Sequence, residues 1–239
     1  IPVVLVNGAE GIGTGFSTFV PQFSAKDLIF QLKERIKAGN TASYKWSQVM
    51  PSYNNYGGDI HRIDINHYIS KGKYAIKDRK IEITELPIGH WSNDYKEYLE
   101  DITYGGDRYF SNLENFCTES KVHFVMKITD KTGVEKMRKE PSQIKYVSKL
   151  EKYLKLVKPI SMTNMYLYNS EHYLKKYDRV SQILEDFYNI RLQFYKKRKD
   201  YLEKSLKNEL DILDTKVKFI TSIVQKKLDL SNKDRTVII

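Results

Sequence analysis

Asp178 to Lys227 reads DRVSQILEDFYNIRLQFYKKRKDYLEKSLKNELDILDTKVKFITSIVQKK, 50 residues without a glycine or a proline. Val180, Ile183, Phe187, Ile190, Phe194 and Tyr201 follow a 3-4 alternation, with Lys197 at the remaining seam position. A second run, Leu206, Leu210, Leu213, Val217, Ile220 and Val224, follows the same rule. The step from Tyr201 to Leu206 offsets the seam beside Lys196-Lys197-Arg198-Lys199. One helix of this length is ~75 Å long. That exceeds a globular domain, so the pattern predicts a structural arm packed on a second long helix.

Upstream the period changes. Asp59 to Asp64, His67 to Ile76 and Lys80 to Leu86 read as three strands of an antiparallel meander, and Lys121 to Ile128 as another strand. Ile81, Ile83 and Glu85 share one face of the third strand, with Glu82 and Thr84 on the other. Ser24 is placed to cap a helix carrying Leu28, Ile29, Leu32 and Ile36 that ends at Gly39. Ser92-Asn93-Asp94 is placed to cap another, carrying Tyr95, Tyr98, Leu99 and Ile102. Basic helices are expected over 130–140 and 142–156, and Ser161 to Tyr168 alternates again. The fold class is therefore α+β, an antiparallel-sheet region followed by a long coiled-coil helix.

The chain has 239 residues, enough for one or two domains with a real core. No run of eighteen apolar residues exists, so no segment reads as a membrane-spanning helix. The single cysteine, Cys117, excludes an internal disulfide framework. The first residues lack a Met and a basic n-region, which reads as an internal piece of a longer chain rather than a signal peptide. A formal charge of +10 points to a polyanionic partner. The charge is uneven. Residues 1–25 carry no Lys or Arg, whereas 130–160 carry nine bases against four acids, the bases including Lys149, Lys152, Lys155 and Lys158.

Residues 2–6 read as a short buried strand running into Asn7-Gly8-Ala9-Glu10-Gly11-Ile12-Gly13-Thr14-Gly15, where four glycines argue against any regular element. The glycine run lacks the Gly-Lys-Ser/Thr of a phosphate-binding loop, and no helix begins behind it. Its unusual member is Ile12, an apolar residue between glycines with nothing local to bury it, which must plug a neighbouring core or wedge into a partner. The five histidines never recur at metal-ligand spacing, and Glu82 and Glu85 lie on opposite strand faces. Nothing read alone is an active site.

Four ordered stretches resemble the eukaryotic type IIA DNA topoisomerases. They are Val3 to Thr18, Ile83-Thr84-Glu85-Leu86-Pro87 with Trp91 and Tyr95-Lys96-Glu97, Lys158 to Met165, and Leu174-Lys175-Lys176-Tyr177-Asp178 with Phe187-Tyr188, Arg191-Leu192 and Tyr195-x-x-Arg198-Lys199. The resemblance implies residues 1–24 as the end of a winged-helix region with an intercalating loop, and 25–176 as a tower domain. It implies 177–230 as a coiled-coil arm and 231–239 as the start of a C-gate region.

The resemblance also implies an ATP-dependent enzyme that cuts both strands of one duplex, with each protomer's tyrosine as a nucleophile, and passes a second duplex through the break. Mg2+ and ATP serve the full-length enzyme in other domains. The nucleophilic tyrosine is placed upstream of residue 1, so no catalytic or metal residue is expected in this chain. Expected partners are double-stranded DNA and a second copy of the chain, and the expected location is the nucleus. Ile12 matches the family's intercalating isoleucine. Lys155, Leu156, Val157, Lys158, Pro159, Ile160, Ser161, Met162, Thr163 and Asn164 match its DNA-contacting segment, with departures at Lys158 and Thr163, and Phe16 stands where the family has tryptophan. The alternatives are a non-catalytic DNA-bending module and a coiled-coil scaffold that binds no nucleic acid.

Overall fold

The structure, a computed structural model, describes residues 1–39, 44–106 and 108–228. The expected C-gate start at 231–239 lies outside them. The chain divides into two units, Ile1–Phe187 and Tyr188–Ile239. In order the elements are α1 (Val3–Asn7), β1 (Ala9–Gly13), β2 (Phe16–Val20), α2 (Ala25–Lys37), β3 (Asp59–Arg62), β4 (His67–Lys71), β5 (Lys73–Lys77) and β6 (Lys80–Glu85). There follow α3 (Ser92–Tyr104), β7 (Phe110–Asn115), β8 (Phe124–Ile128), α4 (Lys131–Lys139), α5 (Lys149–Tyr153), β9 (Val157–Ser161), β10 (Met165–Tyr168), β11 (Leu174–Tyr177) and α6 (Val180–Val224).

The α+β class and the long terminal helix hold. α6 is one unbroken helix of 45 residues. In the first unit its root is buried at Val180, Ile183 and Leu184. In the second unit Leu206, Leu210, Leu213, Val217 and Ile220 all face solvent. An apolar stripe left open along a helix is what a partner helix covers.

The expected meander is two sheets instead. β4 sits in the order β3-β4-β9, whereas β5 begins a second sheet ordered β5-β6-β8-β7. The stretch His67 to Ile76 breaks at Gly72, whose amide donates to the Leu156 carbonyl at 2.9 Å. A Cβ on Gly72 would lie 2.3 Å from the Glu85 carbonyl oxygen, so only glycine lets the chain change sheets there. Each sheet carries its own core. Tyr68, Ile160 and Met162 join Leu5, Phe23, Leu28 and the root of α6 in one. Ile81, Ile83, Leu99, Phe110, Met126, Leu150 and Leu156 fill the other.

Three local expectations fail for physical reasons. Residues 3–7 are helical, not a strand; a five-residue apolar run has no period, and Leu5 is buried by tertiary packing while Val3 stays exposed. Residues 9–20 form a regular antiparallel hairpin despite their glycines, with Ile12 opposite Ser17. The expected helix over 142–156 shrinks to α5. Ser148 starts it through a reciprocal capping box with Glu151, and it stops before Lys155, which takes φ +50°. The helix expected over 130–140 is α4, capped by Asp130, which accepts from the Gly133 amide at 2.9 Å. The strands β7, β9 and β11 add to those expected from the sequence.

Candidate nucleic-acid interface

The β1–β2 hairpin turns at Thr14-Gly15, where Gly15 takes φ +83°. Beside that turn Ile12 is 91% exposed and Phe16 63%. Burying Ile12 would be favourable, so its exposure leaves an apolar side chain available to a partner. A Cβ at Gly11 or Gly13 would meet only ordinary contacts, at 3.7 Å and 3.8 Å. The fold itself therefore does not need those two glycines. What they provide is bare backbone on both sides of Ile12. Gly8 is different, because its φ is +71° and a Cβ would stand 2.9 Å from the Val20 carbonyl oxygen.

The hairpin is held against the second expected segment. Thr18 Oγ1 donates to the Tyr166 carbonyl at 2.8 Å and accepts from the Tyr166 amide at 3.0 Å. The Phe19 amide donates to the Asn164 carbonyl at 2.9 Å, and Asn164 Nδ2 donates to Ser17 Oγ at 2.8 Å. A cleft of about 540 Å³ lies where they meet, lined by Gly8, Glu10, Lys158, Ser161, Thr163 and Asn164 among others. Tyr53 also lines it; burial pushes its hydroxyl up to about 12, so it stays a neutral donor there.

Within Lys155–Asn164 the ten residues divide by burial. Leu156, Ile160 and Met162 lie in the cores at 0%, 3% and 4% exposure. The polar side chains outside the cores are those of Lys155, Lys158, Ser161, Thr163 and Asn164, while Val157 and Pro159 carry the backbone of β9. Pro159 is tolerated because β9 is an edge of its sheet. Lys158 Nζ donates to the Gly89 carbonyl at 2.7 Å, and Lys155 Nζ stands 3.7 Å from the centre of the Tyr98 ring. Lys149 is engaged elsewhere, donating to Glu140 at 2.6 Å. Next to the two lysines lies the Gly89-His90-Trp91 loop, which sequence reasoning does not single out as a site. Trp91, 74% exposed, is its only sequence signal.

Among the described residues no group of three or more His, Cys, Asp or Glu side chains is placed to hold a metal ion. No described helix is long and apolar enough to cross a membrane.

Residues 1–239 match the family model of the DNA gyrase/topoisomerase IV A-subunit, and the chain belongs to that family. The resemblance to eukaryotic type IIA topoisomerases holds over its whole length. It is 34% identical to DNA topoisomerase 2 of Candida albicans over 98% of this chain and 15% of that protein. It is likewise 34% identical to DNA topoisomerase 2 of Bombyx mori over 100% of this chain and 15% of that protein. The crystal structure of the Plasmodium falciparum topoisomerase II DNA-binding, cleavage and re-ligation domain is similar with a TM-score of 0.87 and 33% identity, over 100% of this chain and 31% of that one. The chain thus spans about 15% of the length of these curated relatives. The family match favours a part of an isomerase over the bending module and the scaffold.

Proposed function

We propose that this chain is the DNA-gate portion of an ATP-dependent type IIA DNA topoisomerase, which binds and bends the duplex that is to be cut. The observation that carries the reading is Ile12, an exposed apolar residue at the tip of a hairpin whose base borders a cleft lined by Lys158, Glu10 and the hydroxyls of Ser161 and Thr163. Residues 1–24 end the winged-helix region, 25–176 form the tower, 177–230 the coiled-coil arm and 231–239 the start of the C-gate. The protein works as a homodimer in the nucleus. The cutting tyrosine, the Mg2+ ligands and the ATPase site belong to other parts of the full-length protein.

In this reading Ile12 enters between base pairs, at a cost of a few kcal/mol for unstacking. Phosphate contacts along the bent duplex offset that cost. The open stripe of α6 takes a second helix.

Duplex affinity against salt concentration tests the charge part. Lys155→Ala and Lys158→Ala should each lower the slope of log affinity on log salt by about one unit. Lys149→Ala should change it less, because Glu140 already neutralises that ammonium. Unchanged slopes in all three variants contradict the reading.

A further inference from the structure

A second cleft, of about 310 Å³, opens between the N-terminal end of α3 and the turn leading into β9. His90, Trp91, Asp94, Tyr98, Lys155 and Lys158 line it. Its walls are fixed. Tyr95 Oη donates to the Leu154 carbonyl at 2.7 Å, and Tyr98 Oη donates to the Tyr153 carbonyl, which pins α3 over the end of α5. Lys158 reaches across to Gly89, whose φ of +76° favours glycine, and its Nζ lies 2.9 Å from where a Cβ would stand there. One Lys158 N–H serves the neutral Gly89 carbonyl, which leaves two for a ligand. Lys155 pairs with no carboxylate among the described residues, and the His90 ring makes no hydrogen bond among them.

We propose that this cleft seats one phosphodiester of the bound duplex, with His90 as a third, proton-bearing contact beside Lys155 and Lys158. The inference rests on the duplex-binding reading and adds to it a residue and a pH dependence. The groups facing His90 are Lys155 and Lys158 from the β9 side and Asp94, Tyr95 and Tyr98 from α3. Two ammonium groups oppose one carboxylate, so the cleft favours an anion while the imidazole is neutral.

Burial, then the charges of Lys158 and Lys155, hold the His90 imidazole below its ordinary value, against the opposing pull of Asp94. A phosphodiester keeps its negative charge at any working pH and favours the imidazolium. Binding therefore takes up a proton. Affinity rises as pH falls through the raised value of the bound state and levels off below the depressed value of the free state.

The test is duplex binding by the full-length protein, followed by fluorescence anisotropy from about pH 8 to about pH 5.5 at constant ionic strength. Wild type should bind about fivefold to tenfold more tightly at the acid end. His90→Gln should lose that dependence and bind at the alkaline level throughout, whereas His90→Lys should bind at the acid level throughout. The proposal is overturned if His90→Gln keeps the wild-type slope or His90→Lys acquires one. Inorganic phosphate replacing chloride at matched ionic strength should compete with duplex in wild type and less in His90→Gln. Phosphate competition without a pH dependence of duplex binding would assign the seat to free phosphate and overturn the duplex assignment. Duplex binding with a pH slope independent of His90 overturns the seat alone. No duplex binding at any pH overturns the strand-passage reading as well.

Discussion

Ile12→Ala in the full-length protein should reduce duplex bending and DNA relaxation by about tenfold or more while leaving the melting temperature unchanged. The side chain is 91% exposed, so its removal takes almost no apolar surface out of a core. Substitutions at such positions stay within about 0.5 kcal/mol of wild type. The functional loss is larger because alanine is too short to replace base stacking at a kink that costs a few kcal/mol to open. Each ~1.4 kcal/mol of that support is worth about tenfold in the bent population. End-to-end fluorescence transfer on a short duplex, run beside thermal melting, reads both quantities. Unchanged bending with a lowered melting temperature would show that Ile12 packs into protein.

Glu185→Ala should destabilise the first unit by about 2 kcal/mol or more, the largest stability effect expected from a single polar substitution here. Glu185, in the root of α6, accepts from Arg35 Nη2 at 3.1 Å and from Arg35 Nε at 3.3 Å. It also accepts from Trp46 Nε1 at 2.8 Å. The Arg35 side chain is only 8% exposed, so truncating its carboxylate partner leaves a poorly hydrated guanidinium that keeps neutral contacts, to the Gly39 carbonyl and the Tyr44 ring, but loses its ion pair with Glu185. Glu185 is 33% exposed, so solvent screening holds the loss below what a fully buried pair costs to break. Glu185→Gln keeps the shape and one acceptor oxygen, and should recover about half of the loss. Chemical denaturation at neutral pH measures both variants. An unchanged midpoint for Glu185→Ala would mean that α6 is anchored by the burial of Val180, Ile183 and Leu184 and by the Asp186 bonds to Lys175 and Tyr177, without the Arg35 pair.

How much of the fold is legible in the sequence depends on whether the deciding interaction is local. α6 can be read almost to the residue, because fifty positions without Gly or Pro leave a 3-4 apolar pattern little alternative. The Ile81 and Ile83 face is equally plain, since alternation alone decides it. The hairpin at 9–20 is not. Its glycines weaken a strand, and the groups that hold it, Asn164 and Tyr166, lie about 150 residues away in sequence. The division of His67 to Ile76 between two sheets depends on the close approach of Gly72 to Glu85, which no local pattern encodes.

The site shows the same division. Ile12 stands out because nothing near it in sequence can cover it, and the structure leaves it exposed. The separation of Leu156, Ile160 and Met162 from Lys155 and Lys158 needs the cores that receive them. His90 and Trp91 are invisible in sequence as partners of the lysines, because only the fold of α3 onto α5 brings the two segments together. Lys149 belongs to the same basic stretch of sequence, but its bond to Glu140 turns on where α4 ends, at a residue beyond the reach of composition.

The most direct measurement of the central claim is local. A duplex carrying 2-aminopurine is moved step by step through the bound region, and emission is read with wild type and with Ile12→Ala at saturating protein. A sharp rise in emission is expected at the step that wild-type Ile12 enters, where the base loses its stacking partner, and no rise at that step with the alanine variant. Saturated binding with base stacking intact at every step of the wild-type complex would contradict the claim.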